Sequence, residues 1–134
     1  MTKDYIPKYL KMNTETARLT IQLIRAYDRL KERADDLLAL GVGINMDPQP
    51  KGTSTGDPTA SAAVQREKVV ADLSAIEDGI NTVPEEYRAV IWHWVKDCRP
   101  LYTIDGSEFA SERTWYEYKR RFITAVARRK GWIE

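Results

Sequence analysis

The sequence predicts an all-α fold: a helical bundle with a long N-terminal helix and a C-terminal helix-turn-helix. Apolar residues recur at spacings of three and four along four long stretches, the phase of a single helix face. Residues that start and stop helices stand at the borders of those stretches. Asn13, Asp57-Pro58, Pro84 and Ser111 mark starts, and Gly41 and Pro100 mark ends. No stretch sustains the period-two alternation of a half-buried strand. A length of 134 residues fits one domain, or one domain with an extension, and is enough to bury a core.

Residues 1–13 read as a short polar lead in which Tyr5, Ile6, Tyr9 and Leu10 can pack. Asn13 or Thr14 caps a helix running to about Leu40. Along it Leu23, Tyr27, Leu30, Ala34 and Leu37 alternate spacings of four and three, the seam of a coiled coil. Ile24 and Leu38 widen that stripe. Either the helix packs within its own domain or it pairs protomers into a homodimer. Gly41 ends it, and Gly43, Pro48, Pro50, Gly52, Ser54 and Gly56 leave little room for regular structure beyond. The expected division is therefore a helical segment over 1–40, a linker over 41–57 and a third part over 58–134.

Asp57 can cap, and Pro58 can begin, a helix reaching about Asn81, with Val69, Leu73, Ile76 and Ile80 on one face. Thr82-Val83-Pro84 interrupts it. Pro84-Glu85-Glu86 then opens another, with φ preset by the proline and two acids at the positive end of the dipole. Tyr87, Val90, Ile91, Trp94, Val95 and Cys98 form its expected buried face, and Pro100 closes it. Leu101 to Ala110 should hold the first helix of the helix-turn-helix. Asp105 and Gly106 lie inside it and make it short or irregular. Leu101, Ile104 and Phe109 are placed to pack on the helix that follows.

Ser111 is a good N-cap for that last helix, and Glu112 sits where the dipole favours an anion. Trp115, Tyr118, Phe122 and Val126 form one apolar stripe. Arg113, Tyr116, Arg120 and Thr124 point the other way, with Lys119 and Arg121 on the flanks. A helix anchored by aromatics on one side and presenting cations on the other has the parts of a recognition helix. The charge is also gathered here. Residues 111–134 hold seven Lys/Arg against Glu112, Glu117 and Glu134, while the rest of the chain has more acids than bases. With a net charge of only +1, bulk attraction to a polyanion explains nothing, whereas a basic face does.

Other function classes are disfavoured. His93 is the one histidine and Cys98 the one cysteine, too few for a zinc site at metal-ligand spacing. His93 lies between two tryptophans and reads as a packed or surface residue. Gly41-Val42-Gly43 lacks the third glycine and the preceding strand of a dinucleotide loop. No catalytic set, metal or cofactor is expected, and the chain is read as not an enzyme. A lone cysteine fits a reducing compartment. No apolar run follows Met1-Thr2-Lys3-Asp4 and none approaches a membrane span, so the expectation is a cytoplasmic protein with no membrane partner.

From about Pro58 onward the chain resembles the RinA/ArpU-like family of phage and prophage late-gene transcriptional regulators. The resemblance rests on Gly56-Asp57-Pro58-Thr59, on Pro84-Glu85-Glu86-Tyr87-Arg88, and on Ser111-Glu112-Arg113-Thr114-Trp115-Tyr116. It extends to Lys119-Arg120-Arg121-Phe122-Ile123, Val126-Ala127 and Lys130-Gly131-Trp132. The C-terminal half of that family is similar to region 4 of sigma factors, whose helix-turn-helix reads promoter DNA.

The resemblance implies a bacterial transcription regulator, an activator in the simplest case, with double-stranded DNA as partner and host RNA polymerase as a second candidate. Ser111 and Thr114 would contact phosphate, and Glu112, Arg113 and Tyr116 would face base edges. Lys119, Arg120 and Arg121 would hold backbone or bases further along. The N-terminal helix would pair protomers so that two recognition helices meet one duplex. Two rivals remain: a phage small terminase subunit recognising packaging-site DNA, and a module that binds RNA polymerase through the basic helix.

Overall fold

The computed structural model describes residues 12–44 and 58–134; the readings of residues 1–11 and 45–57 fall outside them. All described regular structure is helical. The described residues form five α-helices: α1 (Thr14–Arg25), α2 (Tyr27–Ile44), α3 (Pro58–Ile80), α4 (Glu85–Val95) and α5 (Glu112–Arg129).

Asn13 caps α1, its side chain accepting from the Glu15 N–H at 2.7 Å. The helix expected to run unbroken to Leu40 is instead two helices. At Ala26 (φ −85°, ψ 4°) the backbone tightens into a turn, its N–H shared between the Gln22 and Leu23 carbonyls at 3.1 Å each. Tyr27 follows at once. Its hydroxyl is 2.7 Å from Glu77 Oε2, and its ring meets Trp92 edge-on at 4.9 Å. The stripe expected to form one seam is therefore divided between two helices, with Tyr27 engaged by Glu77 and Trp92 of its own chain. Helix α2 also runs through Gly41 to Ile44, so Gly41 is not the stop the sequence suggested.

The chain divides into two compact units. One comprises residues 28–73, that is α2 after Tyr27 and the larger part of α3. Its core contains Ala34, Leu37, Ala62, Val69 and Leu73. Arg33 donates to Gln65 Oε1 at 2.9 Å and Arg66 to the Ala34 carbonyl at 3.1 Å, joining the two helices.

The other unit holds α1, the end of α3, α4 and α5. Helix α5 packs on α1 and α4. Ala17, Ile24, Ile76, Val83, Ile91, Trp115, Phe122, Ile123 and Val126 are buried there. Gly79 marks the closest approach, for a Cβ at that position would collide with Val126 Cγ2. Between α3 and α4 the turn is clamped by Arg88, which donates to the carbonyls of Val83 at 2.7 Å and Asn81 at 3.1 Å.

Two details near the end of α4 depart from expectation. Cys98 is exposed rather than buried, because α4 stops at Val95 and Cys98 turns out at φ 58°. Residues 101–110 form two separate 3-10 turns, Leu101–Thr103 and Ser107–Phe109, in place of a first α-helix. Gly106 stands between them at φ 94°, a left-handed conformation that ends any helix through it. Ile104 is buried as expected, but Phe109 points outward, 61% exposed.

Candidate functional site

The N-terminal half of α5 is built from a cap, a buried anchor and an exposed side. Ser111 has extended backbone (φ −71°, ψ 158°), and its Oγ accepts from the Thr114 N–H at 3.3 Å. The two hydroxyls lie 3.0 Å apart. Both side chains read as phosphate contacts are thus engaged with each other at the cap, each oxygen keeping capacity to accept further.

Trp115 anchors the helix at 1% exposure, and its indole N–H donates to the Ser107 carbonyl at 2.6 Å. That bond ties the irregular 101–110 segment to α5. Tyr87 of α4 gathers the neighbouring rings, lying 5.3 Å from Trp115, 4.5 Å from Tyr118 and 5.4 Å from Phe109. The helical phase fixes what faces outward. At 100° per residue Arg113 lies about 160° from Trp115, and Glu117, Arg120 and Arg121 share its half of the helix. Glu112, Arg113, Tyr116, Glu117 and Arg121 are exposed. Arg113 has no hydrogen-bond or ion-pair partner among the described residues.

The remaining cations differ from one another. Arg120 is paired with Glu117 one turn before it. The Arg121 guanidinium stands 5.2 Å over the Tyr118 ring. Further along, Arg129 pairs with Asp78 at 2.7 Å and Arg128 donates to the Glu134 carbonyl at 3.0 Å. The positive excess counted from the sequence is therefore partly neutralised within the fold.

Lys119 is the clearest revision. Its phase, about 40° from Trp115, lies inside the arc between Trp115 and Ile123, and its ammonium sits 4.3 Å over the Trp94 ring. Burial lowers its pKa from 10.5 to about 8, with Arg25 adding to the fall and Cys98 opposing it. It lies between α5 and α4 and braces one against the other. Tyr116 meets the same Trp94 edge-on at 5.0 Å. The phase alone could have revealed this, since a residue four after Trp115 lies on the same face.

Beside the start of α5 an open cleft of about 370 Å³ is bordered by Trp94, Leu101, Tyr102, Ser107, Glu112 and Tyr116. Tyr102, at 85% exposure, could not be singled out from sequence, because a helical phase assigned to 101–110 does not apply to 3-10 turns. His93 Nδ1 and Asp97 Oδ2 lie 2.7 Å apart at the end of α4. Lys96 and then His93 hold the Asp97 carboxyl below its ordinary pKa. This is local bracing of a helix end. Among the described residues no group of three metal-ligating side chains occurs, and no helix is long and apolar enough to cross a membrane. The chain matches no family model, no curated protein and no solved structure.

Proposed function

We propose that this chain is a sequence-specific regulator of phage or prophage late-gene transcription, in the simplest case an activator, that works in the bacterial cytoplasm. It binds double-stranded DNA through the outer side of α5. The observation that carries the reading is Arg113: exposed, without a partner among the described residues, and turned away from the Trp115 anchor. Beside it Glu112, Tyr116, Arg120 and Arg121 offer hydrogen-bonding and cationic groups on a rigid helix, as base-edge and phosphate recognition requires. The resemblance of residues 58–134 to the RinA/ArpU-like regulators supports the same reading. In this arrangement α4 and α5, joined by the 3-10 segment, take the place of the helix-turn-helix pair.

Binding of the full chain to duplexes selected from a random library tests it. With Arg113, Arg120 and Arg121 as the available phosphate or base contacts, raising salt from about 50 to 200 mM should weaken binding by roughly one and a half decades. Arg113→Ala should remove about 1–3 kcal/mol of discrimination between selected and scrambled duplexes. If that variant discriminates as the wild type does, α5 is not the reader. Capture of bacterial RNA polymerase without affinity for any duplex would point instead to a polymerase-binding module.

A further inference from the structure

Helix α3 is apolar on two opposite sides over residues 61–73. The inner side, with Ala62, Val69 and Leu73, is buried, and Arg66 and Gln65 bond to α2 at its margin. At 100° per residue Ala63, Val64, Glu67, Val70 and Ala71 fall on the outer side, with Lys68 at its edge. All six are exposed, Val64 by 55% and Val70 by 37%. Four of these six are alanine or valine, more apolar surface than a wholly solvated helix face ordinarily carries. The N-terminal seam does not supply a second partner: Ala34 and Leu37 lie in the core of their own unit, and Tyr27 is held by Glu77 and Trp92.

We propose that the outer side of α3 is a two-fold interface, packed antiparallel on α3 of a second copy of this chain. Charge selects both the partner and the register. In a two-fold contact, residue i meeting residue j requires j to meet i. An axis passing between Glu67 and Lys68 sets Glu67 of each copy against Lys68 of the other. Two reciprocal ion pairs result, flanked by two contacts of Val64 with Ala71. A parallel pairing, or an axis through Glu67 itself, would oppose like charges. Neither Glu67 nor Lys68 has an ion-pair partner among the described residues, and adjacent positions on a helix do not face each other. The contact spans about two turns, small for a permanent dimer, so the association depends on concentration. It involves no residue of α5 and stands or falls separately from DNA binding.

Sedimentation equilibrium of the full chain tests the interface, with circular dichroism to verify that each variant is folded. The wild-type mass should rise from one chain towards two with concentration. Glu67→Lys and Lys68→Glu, each alone, should raise the dissociation constant at least about tenfold, because each turns two attractions into two repulsions. The double reversal Glu67→Lys/Lys68→Glu should restore association, a result that no purely local effect gives. A wild-type chain that stays monomeric at all attainable concentrations overturns the proposal. So does a dimer whose dissociation constant is unchanged by either single reversal, or one that the double reversal fails to rescue.

Discussion

The inner and outer sides of α5 are made by residues one or two positions apart, yet they behave as different materials. Trp115 is enclosed, its one polar atom bonded to the Ser107 carbonyl and its ring against Tyr87. Arg113, two residues earlier, is exposed and has no hydrogen-bond or ion-pair partner among the described residues. Lys119 has the residue type of the outer side and the phase of the inner, and the phase prevails: it lies over Trp94 with its pKa lowered to about 8. Residue chemistry alone therefore misassigns a long side chain at the border, because its stem can be buried while its charge is accommodated by an aromatic face. The lesson for the proposed interface is that a count of cations overstates what is offered to a ligand.

The largest expected effect tests the inner side. Trp115→Ala removes a buried ring and leaves the Ser107 carbonyl without its donor, and should cost about 3–5 kcal/mol in chemical denaturation. A loss below about 1 kcal/mol would mean that 101–110 and α5 are not fastened through this residue.

Gly79→Ala probes the same side from α3. A methyl there meets Val126 and the Phe122 ring, and overpacking of this kind should cost about 1–3 kcal/mol. Because alanine is the better helix former, a stabilised variant would show that α3 does not approach α5 as closely as described.

Lys119→Met tests the border. The folded chain disfavours the ammonium, so between about pH 8 and 10.5 the unfolded state binds more protons and wild-type stability rises with pH. A methionine of similar length, free of that penalty and able to lie against Trp94, should be more stable at pH 7 by on the order of 1 kcal/mol. The advantage should shrink as the pH approaches 10. Unfolding of both proteins at the two pH values decides it: a less stable variant at pH 7 would mean that the cation over Trp94 outweighs its burial.

Smallest in stability should be Arg113→Ala, which ought to leave the unfolding midpoint within about 0.5 kcal/mol of wild type. Its effect belongs to DNA discrimination. A marked loss of stability would instead show that the outer side of α5 is structural.

The sequence by itself determined the all-α class, the span of α3, the starts of α4 and α5, the Ser111 cap and the burial of Trp115, Phe122 and Val126. These are properties of one segment at a time: a period of 3.6 residues, a hydroxyl before a helix, a proline at its border. Tertiary structure decided what depends on a second segment. The break at Ala26 accompanies the engagement of Tyr27 by Glu77 and Trp92 from elsewhere in the chain. Cys98 turns outward only because α4 ends at Val95. Lys119 lies inward because α4 brings Trp94 to it, and Arg129 is neutralised by Asp78 fifty-one positions away. Periodicity tells which side of a helix is apolar, a choice worth several kcal/mol summed over a stripe. It does not tell which neighbour covers a flank, because that partner is set by how the helices pack and not by the spacing within either one.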